Sequence, residues 1–311
     1  MLDDVSYTAD EVAKILRISR FTVYELIKRG ELTAYRVGRK MRIDRADLAN
    51  YKKKTKGGPP FVLNVSQPSP DFPFDSQNGL IICGQDAVLD ILTRHLERQM
   101  RNVRFLRQYA GSIEGLISLY NRTANLATAH LWDGDSGEYN VPYVRRYLPG
   151  LRALVVNLVY RMEGFYVAPG NPKGINEWAD LTRGDVRFVN RERGSGARVL
   201  LDEKLRKLDI DSREIPGYDN EETSHLAVAS CVARGDADVG LGTEKAAMQV
   251  KNVEFVPLQK ERYDLVLLKH DLDKPHFQAL LAILKSKAFQ NEVAGMGGYD
   301  TSKMGDVIAE I

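Results

Sequence analysis

The stretch Lys52-Lys53-Lys54-Thr55-Lys56-Gly57-Gly58-Pro59-Pro60 divides this chain in two. Five of its twelve prolines fall between Pro59 and Pro73, among Ser, Gln, Asn and Gly. Proline withholds a backbone donor and its polar neighbours offer little to bury, so the stretch reads as a linker. Phe61 to Val65 is the part of it expected to pack on a neighbour. The 311 residues thus separate into a head (1–54), a linker (55–78) and a body (79–311), in keeping with a multidomain length.

Charge follows the same division. Residues 1–56 hold 14 Lys and Arg against 8 Asp and Glu, a balance of +6, while the rest holds 30 against 34, a balance of −4. A basic head on a mildly acidic body directs any polyanionic partner to the head. The two cysteines, Cys83 and Cys231, stand far apart without a partner motif, which fits a reducing compartment and leaves no disulfide framework. No apolar run approaches the length of a spanning helix. The acidic start Met1-Leu2-Asp3-Asp4 lacks a signal peptide's basic and apolar regions. A cytoplasmic protein without membrane contact is expected.

In the head, Thr8-Ala9-Asp10-Glu11 forms a capping box, and Val12, Ile15 and Leu16 give one apolar helical stripe. Ser19 is placed to cap a second helix, Arg20 to Lys28, with Val23, Leu26 and Ile27 inward. That leaves Arg20, Thr22, Tyr24 and Lys28 outward, and Gly30 closes the helix. Ala34 to Val37 and Met41 to Ile43 alternate around Gly38-Arg39-Lys40, which predicts a hairpin with a basic tip. Asp44 is expected to cap a last helix containing Leu48 and Tyr51. Two short helices around a tight turn make a helix-turn-helix, whose second helix suits the major groove of double-stranded DNA.

From Tyr7 to Tyr51 this segment resembles the excisionase-type, MerR-like winged helix-turn-helix family. The resemblance implies base-edge contacts from Arg20, Thr22 and Tyr24. It implies backbone contacts from Lys28, Arg29, Arg36, Arg39, Lys40 and Arg42.

The body reads as α/β, with apolar strands alternating with amphipathic helices. Leu80-Ile81-Ile82-Cys83-Gly84 is a strand, and Asp86 opens a helix through Val88, Leu89, Ile91, Leu92 and Leu96. Val103 to Leu106 and Leu126 to Leu131 are further strands, the last with His130 near its end. Val186 to Val189 is a strand, followed by a Gly194-Ser195-Gly196 loop flanked by Arg193 and Arg198 and a helix from about Val199. Loops that feed helix N-termini offer free amides to an anion. The serine hydroxyl and guanidinium groups suit a tetrahedral oxyanion or a carboxylate. His130 and His225 are further donors to an anion. No third ligand stands at zinc-like spacing from them, so no metal site is expected.

The segments 81–86, 111–116, 129–140, 190–202, 224–242 and 255–266 together resemble the periplasmic-binding-protein-like domain of molybdate- and tungstate-binding proteins. That likeness implies a two-lobed type II fold whose lobes are joined by two crossing strands and close on ligand. Carried over by position, Cys83, Gly84, Gly111 and Ser112 contact the ligand from the first lobe, with Gly194, Ser195 and Gly196 from the second. Two departures bear on ligand identity. Arg193 and Arg198 bracket the second loop where such sites usually use neutral donors, and Leu241-Gly242 stands where a tyrosine is expected.

The reading is a homodimeric transcriptional regulator with no cofactor and no catalytic residues, sensing a small oxyanion, molybdate or tungstate, that alters DNA affinity. The alternatives are an enzyme or accessory protein of molybdenum-cofactor synthesis, using Ser195 or His130, and a regulator sensing a small organic anion. A further alternative is an architectural DNA-binding protein whose body only dimerises. Against an enzyme, Gly194-Ser195-Gly196 lacks the spacing of a nucleophile elbow. The stretch 291–311 is expected to cap the body.

Overall fold

The computed structural model describes residues 6–16, 20–28, 30–37, 40–56 and 79–311. The chain forms two compact units, Met1–Pro73 and Phe74–Ile311. In the first, β1 (Ser6–Thr8) leads into α1 (Ala9–Leu16), then α2 (Arg20–Lys28), β2 (Tyr35–Val37), β3 (Lys40–Asp44) and α3 (Arg45–Lys56). Glu11 accepts from the Thr8 amide at 2.8 Å while the Thr8 hydroxyl accepts from the Glu11 amide at 3.3 Å, the reciprocal bond of a capping box. Antiparallel pairing gives the strand order β1-β3-β2. Ala9, Val12, Val23, Leu26, Leu32, Ile43 and Leu48 are buried together behind it. Asp44 accepts from the Tyr35 hydroxyl at 2.9 Å. Ser19, the tip residues Gly38 and Arg39, and 57–78, including Phe61 to Val65, lie outside the described residues.

The second unit begins with β4 (Gly79–Cys83), α4 (Val88–Gln99), β5 (Arg104–Gln108), α5 (Ser112–Tyr120), β6 (Leu126–Ala129) and α6 (Val141–Tyr147). The long β7 (Ala153–Val167) follows. Then come β8 (Phe188–Arg191), α7 (Gly196–Leu208), β9 (Glu221–Glu222), α8 (His225–Ala233), β10 (Val239–Thr243), α9 (Glu244–Ala247) and a second long strand, β11 (Glu254–Leu268). The chain ends with α10 (Pro275–Lys285), α11 (Lys287–Gly295) and β12 (Val307–Glu310). The strands run in the order β5-β4-β6-β11-β7-β10-β8-β9.

The fifteen-residue strands β7 and β11 organise this sheet, pairing antiparallel from Ala153 opposite Leu268 to Val167 opposite Glu254. One end of β11 carries β6 and the parallel strands β4 and β5. The other end of β7 carries β10 and, parallel to it, β8. Each end is therefore a lobe with helices on both faces, since parallel strands bury both sides. The first lobe packs Leu80, Ile82, Leu92, Leu265 and Phe277 on one face, and Leu116, Leu131, Val144 and Val266 on the other. The second packs Phe165, Phe188 and Leu201 on one face, and Tyr166, Val228 and Ala246 on the other.

Several expectations shift by two or three residues. The strand expected at Val186 to Val189 runs from Phe188 to Arg191, because the Val186 amide is used in a turn bond to Arg183. The helix expected near Val199 begins at Gly196, where the Ser195 hydroxyl accepts from the Arg198 amide. Residues after Asn291 do more than cap the body: β12 adds to β7, with Val307 opposite Val156.

Phe277 is fully buried in the first lobe, so Phe277→Ala is expected to cost about 3–5 kcal/mol in urea unfolding. Half-exposed Leu208 is the control, at roughly 0.5 kcal/mol or less.

Candidate functional site

Helices α5 and α7 start at the cleft between the lobes, capped by Gly111 and Ser195. Their first-turn amides have no carbonyl within the helix to receive them and carry the positive end of the helix dipole. The loop after β4 brings Gly84, Gln85 and Asp86 to the same place. Together with Ala110, Gly111, Ser112, Thr128, His130, Arg161, Arg191, Ser195, His225 and Tyr263 they line a cavity of about 20 Å³, room for one small group. Past Gln85, Asp86 and His225 it adjoins a wider cleft of about 500 Å³ flanked by Tyr109, Leu226 and Tyr299. The lobes touch around the inner cavity: the Ile113 amide donates to the Gly194 carbonyl at 3.0 Å, and Arg191 Nη2 donates to Gln85 Oε1 at 3.0 Å.

Beneath the cavity lies the middle of the crossing pair. Arg161 of β7 sits directly opposite Glu261 of β11. Its guanidinium, fully buried, is bonded to Glu261 and to Asp86 and stacks 4.1 Å over the Tyr263 ring. Asp86 also accepts from the Tyr299 hydroxyl at 2.7 Å and the Val88 amide at 2.8 Å. Burial alone would raise the Glu261 pKa, but Arg161 and then His130 overcome that and hold it at about 2. His130 Nδ1 lies 2.7 Å from Glu261 Oε2. Burial lowers the His130 pKa against the pull of Glu261. His225, 6.1 Å from His130 between ring centroids, is pushed well below the ordinary value by burial and by Arg191 and Arg161.

Two nitrogens at the cavity are left over. Arg191 binds Glu192 through Nε at 2.7 Å, yet its buried Nη1 has no partner, and neither does buried His225 Nδ1. A buried polar atom without a partner costs about 1–3 kcal/mol, and both residues line the cavity. Glu163, two residues beyond Arg161, is also buried with both carboxylate oxygens unpartnered. Burial and neighbouring Glu261 raise its pKa well above the carboxylate range, so it is neutral.

His130, Glu163 and Glu261 place ligand-type atoms within 4.8 Å of one another, nearer than the sequence spacing implies. The set suits a metal ion poorly. Glu261 is already held by Arg161 and His130, and a buried guanidinium beside the cluster repels a second cation.

Of the ligand contacts expected from sequence, Gly84, Gly111, Ser112, His130, Ser195 and His225 line the cavity, and five do not. Cys83 lies under the sheet, its thiol 3.3 Å from Gln108 Oε1, with burial raising its pKa to about 11. Arg193 points to solvent, 80% exposed, 3.9 Å from Glu221. Arg198 is buried on the far side of α7, against the Arg191 carbonyl, Glu221 and Asp202. Gly194 turns its carbonyl to Ile113. Gly196 lies against the His130 ring, where a Cβ would come within 2.5 Å. Arg161, Arg191, Glu261 and Tyr263 were not singled out by sequence. The signal available was polar Arg161 and Glu163 interrupting the apolar run of β7. Gly242 explains the missing tyrosine: a side chain there would strike the Tyr166 hydroxyl at 2.3 Å and His225 Nδ1 at 2.7 Å.

In the head, Arg20 and Tyr24 are exposed side by side on α2, the guanidinium 3.4 Å from the hydroxyl and 3.4 Å from Asp10. Thr22 is exposed on the same helix, Arg36 is exposed on β2, and Arg42 is half-buried on β3. The Lys28 and Lys40 side chains, and Arg29 and Arg39 entirely, lie outside the described residues. Among the described residues no helix is long and apolar enough to cross a membrane.

Residues 93–285 match the PBP superfamily domain, and residues 6–56 match a helix-turn-helix domain. An uncharacterized protein of Bacillus subtilis, YvgK, is 42% identical over the whole length of both chains. The body superposes on a phosphate ABC transporter substrate-binding protein from Clostridium perfringens with a TM-score of 0.53. That match has 16% identity and covers 72% of this chain and 99% of the other. The effector-binding domain of a BenM variant gives a TM-score of 0.50 at 12% identity, covering 71% and 96%. At such identities the two structures establish the fold.

Glu163 gives a pH-dependent prediction. Its folded pKa lies above the ordinary 4.5, so between those values the native state holds a proton that the unfolded chain has lost, and stability falls as pH rises. Glu163→Gln removes that loss. In urea unfolding the variant is expected to match the parent near pH 4.5 and to exceed it increasingly toward pH 8.

Proposed function

The chain belongs to the PBP superfamily and carries a helix-turn-helix domain at its N-terminal end; from this we propose a DNA-binding regulator whose body senses a small oxyanion. The observation that carries the reading is the pair of unpartnered buried nitrogens, the Arg191 donor Nη1 and the ring nitrogen Nδ1 of His225, at a cavity where two helix N-termini begin. An anion there receives bonds these groups otherwise lack and gains from both dipoles.

Molybdate or tungstate is the oxyanion proposed, in line with the resemblance carried by the body's loops. Arg191 sets this site apart from one built of neutral donors and selects for full ionic charge. Ligand bridging Arg191 and His225 of the second lobe to the α5 amides of the first favours the closed form. It shifts DNA affinity insofar as closed and open forms differ in how they present the head. The protein acts in the cytoplasm as a homodimer, each head taking one half-site through Arg20, Thr22 and Tyr24. The Ser195 hydroxyl speaks against a hydrolase, because it already donates to the Glu192 carbonyl at 2.9 Å and accepts from Arg198. The adjoining 500 Å³ cleft supports one second reading, an organic anion with its carboxylate in the inner cavity.

Thermal unfolding of the full chain with molybdate, tungstate, sulfate, phosphate and small carboxylates separates these readings. A ligand at 100 times its Kd adds about 2.7 kcal/mol to native stability. Molybdate or tungstate is expected to raise Tm and Arg191→Ala to abolish the rise. A rise with carboxylates alone identifies the organic anion, and no rise with any of them rejects the sensor.

A further inference from the structure

We propose that the oxyanion enters the cleft together with one proton, which His130 carries, so that the occupied site pairs a dianion with an imidazolium backed by Glu261. The inference rests on the reading of the cleft as an anion site and names how that site is regulated.

A neutral imidazole has a single N–H. In the empty site that hydrogen lies on Nδ1, because Glu261, kept ionised by Arg161, is the acceptor 2.7 Å away. Nε2 is then a bare lone pair with no partner in the protein, on a residue that lines the cavity. A lone pair repels the oxygens of an anion. Protonating Nε2 converts it to a donor without disturbing the bond to Glu261. A carboxylate behind an imidazole, with negative charge arriving in front, is an arrangement that stabilises imidazolium.

The groups facing His130 account for the direction of the change. From the crossing strands come Glu261, Arg161, Glu163 and Tyr263, whose ring lies 5.7 Å away edge-on. Arg191 comes from β8 and His225 from α8, and Asp86 is already bonded to Arg161. While the cavity is empty, burial and the two arginines keep His130 neutral. A dianion in contact offsets both cations and adds the charge an imidazolium needs. Glu163 is already protonated. His225 has no carboxylate behind it, and its Nδ1 is unpartnered. His130 is therefore where the proton goes. The proton comes from solvent, one N–H bond forms at Nε2, and nothing is oxidised or reduced.

Between the His130 pKa values of the empty and occupied sites, each anion takes up one proton and Kd rises about tenfold per pH unit. The test is calorimetric titration of the full chain with molybdate at pH 7.5 in two buffers of different ionisation enthalpy. Titrations from pH 7 to 9 and parallel runs with tungstate and sulfate complete it. Uptake approaching one proton per anion is expected, with affinity weakening as pH rises. His130→Gln keeps an amide donor but cannot titrate, so it is expected to bind without uptake, whereas His270→Gln, at an exposed histidine outside the cavity, retains it. Imidazole nitrogen shifts in the unaltered protein provide a measurement free of any folding defect, and His130 Nε2 is expected to gain its proton on adding molybdate. Binding without uptake, or unchanged uptake in His130→Gln, overturns the inference alone. Absence of binding by all three anions overturns the oxyanion reading and this inference with it.

Discussion

Arg161 is almost wholly buried, and a guanidinium so placed must be neutralised by what surrounds it. Its partners come from separate parts of the chain: Glu261 from the other crossing strand, Asp86 from the loop after β4, and Tyr263 beneath its plane. Asp86 in turn holds Tyr299, near the C-terminal end of the chain. One buried charge thereby sets the register of β7 against β11, the start of α4 and the course of the segment beyond α11. The cavity is the space above this network, and its polarity follows from it. Glu261, committed to Arg161, is ionised and orients His130. Glu163, on the same face but outside Arg161's bonds, is neutral.

Much of the architecture was legible from spacing. The proline-rich break, the capping box at Thr8 and Glu11, and the βα alternation of the body each follow from local chemistry that tertiary contacts reinforce. Gly111, Ser112 and Ser195 were readable as loop residues at helix starts because N-terminal caps have a local signature. The charged floor of the site was not. Arg161 and Glu261 are a hundred residues apart, and only the antiparallel register makes them neighbours. Arg193 and Arg198 illustrate the opposite error. They flank the glycine loop in sequence, but the left-handed turn at Gly194 (φ +85°) and the helical phase of α7 point one to solvent and the other behind the helix. Arg191, two positions earlier at the end of β8, reaches the cavity instead.

The contrast among the site's titratable groups matters for the anion recognition proposed above. Buried donors already satisfied within the protein gain little from a ligand, whereas Arg191 Nη1 and His225 Nδ1 have everything to gain. The superfamily fold supplies the helix N-termini, and folds of this kind serve transport and regulation alike. In this chain guanidinium and imidazole groups stand beside them, and a basic helix-turn-helix unit lies at the other end of the sequence.

The crossing strands slip register twice, between Pro257 and Gln259 and again between Tyr263 and Asp264. A bulge is where a ladder bends and twists most readily, and these two bracket the Arg161–Glu261 pair. The bonded pair is thus a stiff point in the crossing strands with a bend-prone step on either side. His130 is tied to Glu261 at this stiff point. Arg191 and His225 belong to the second lobe, so the closure proposed for the cleft would carry them toward the first-lobe groups.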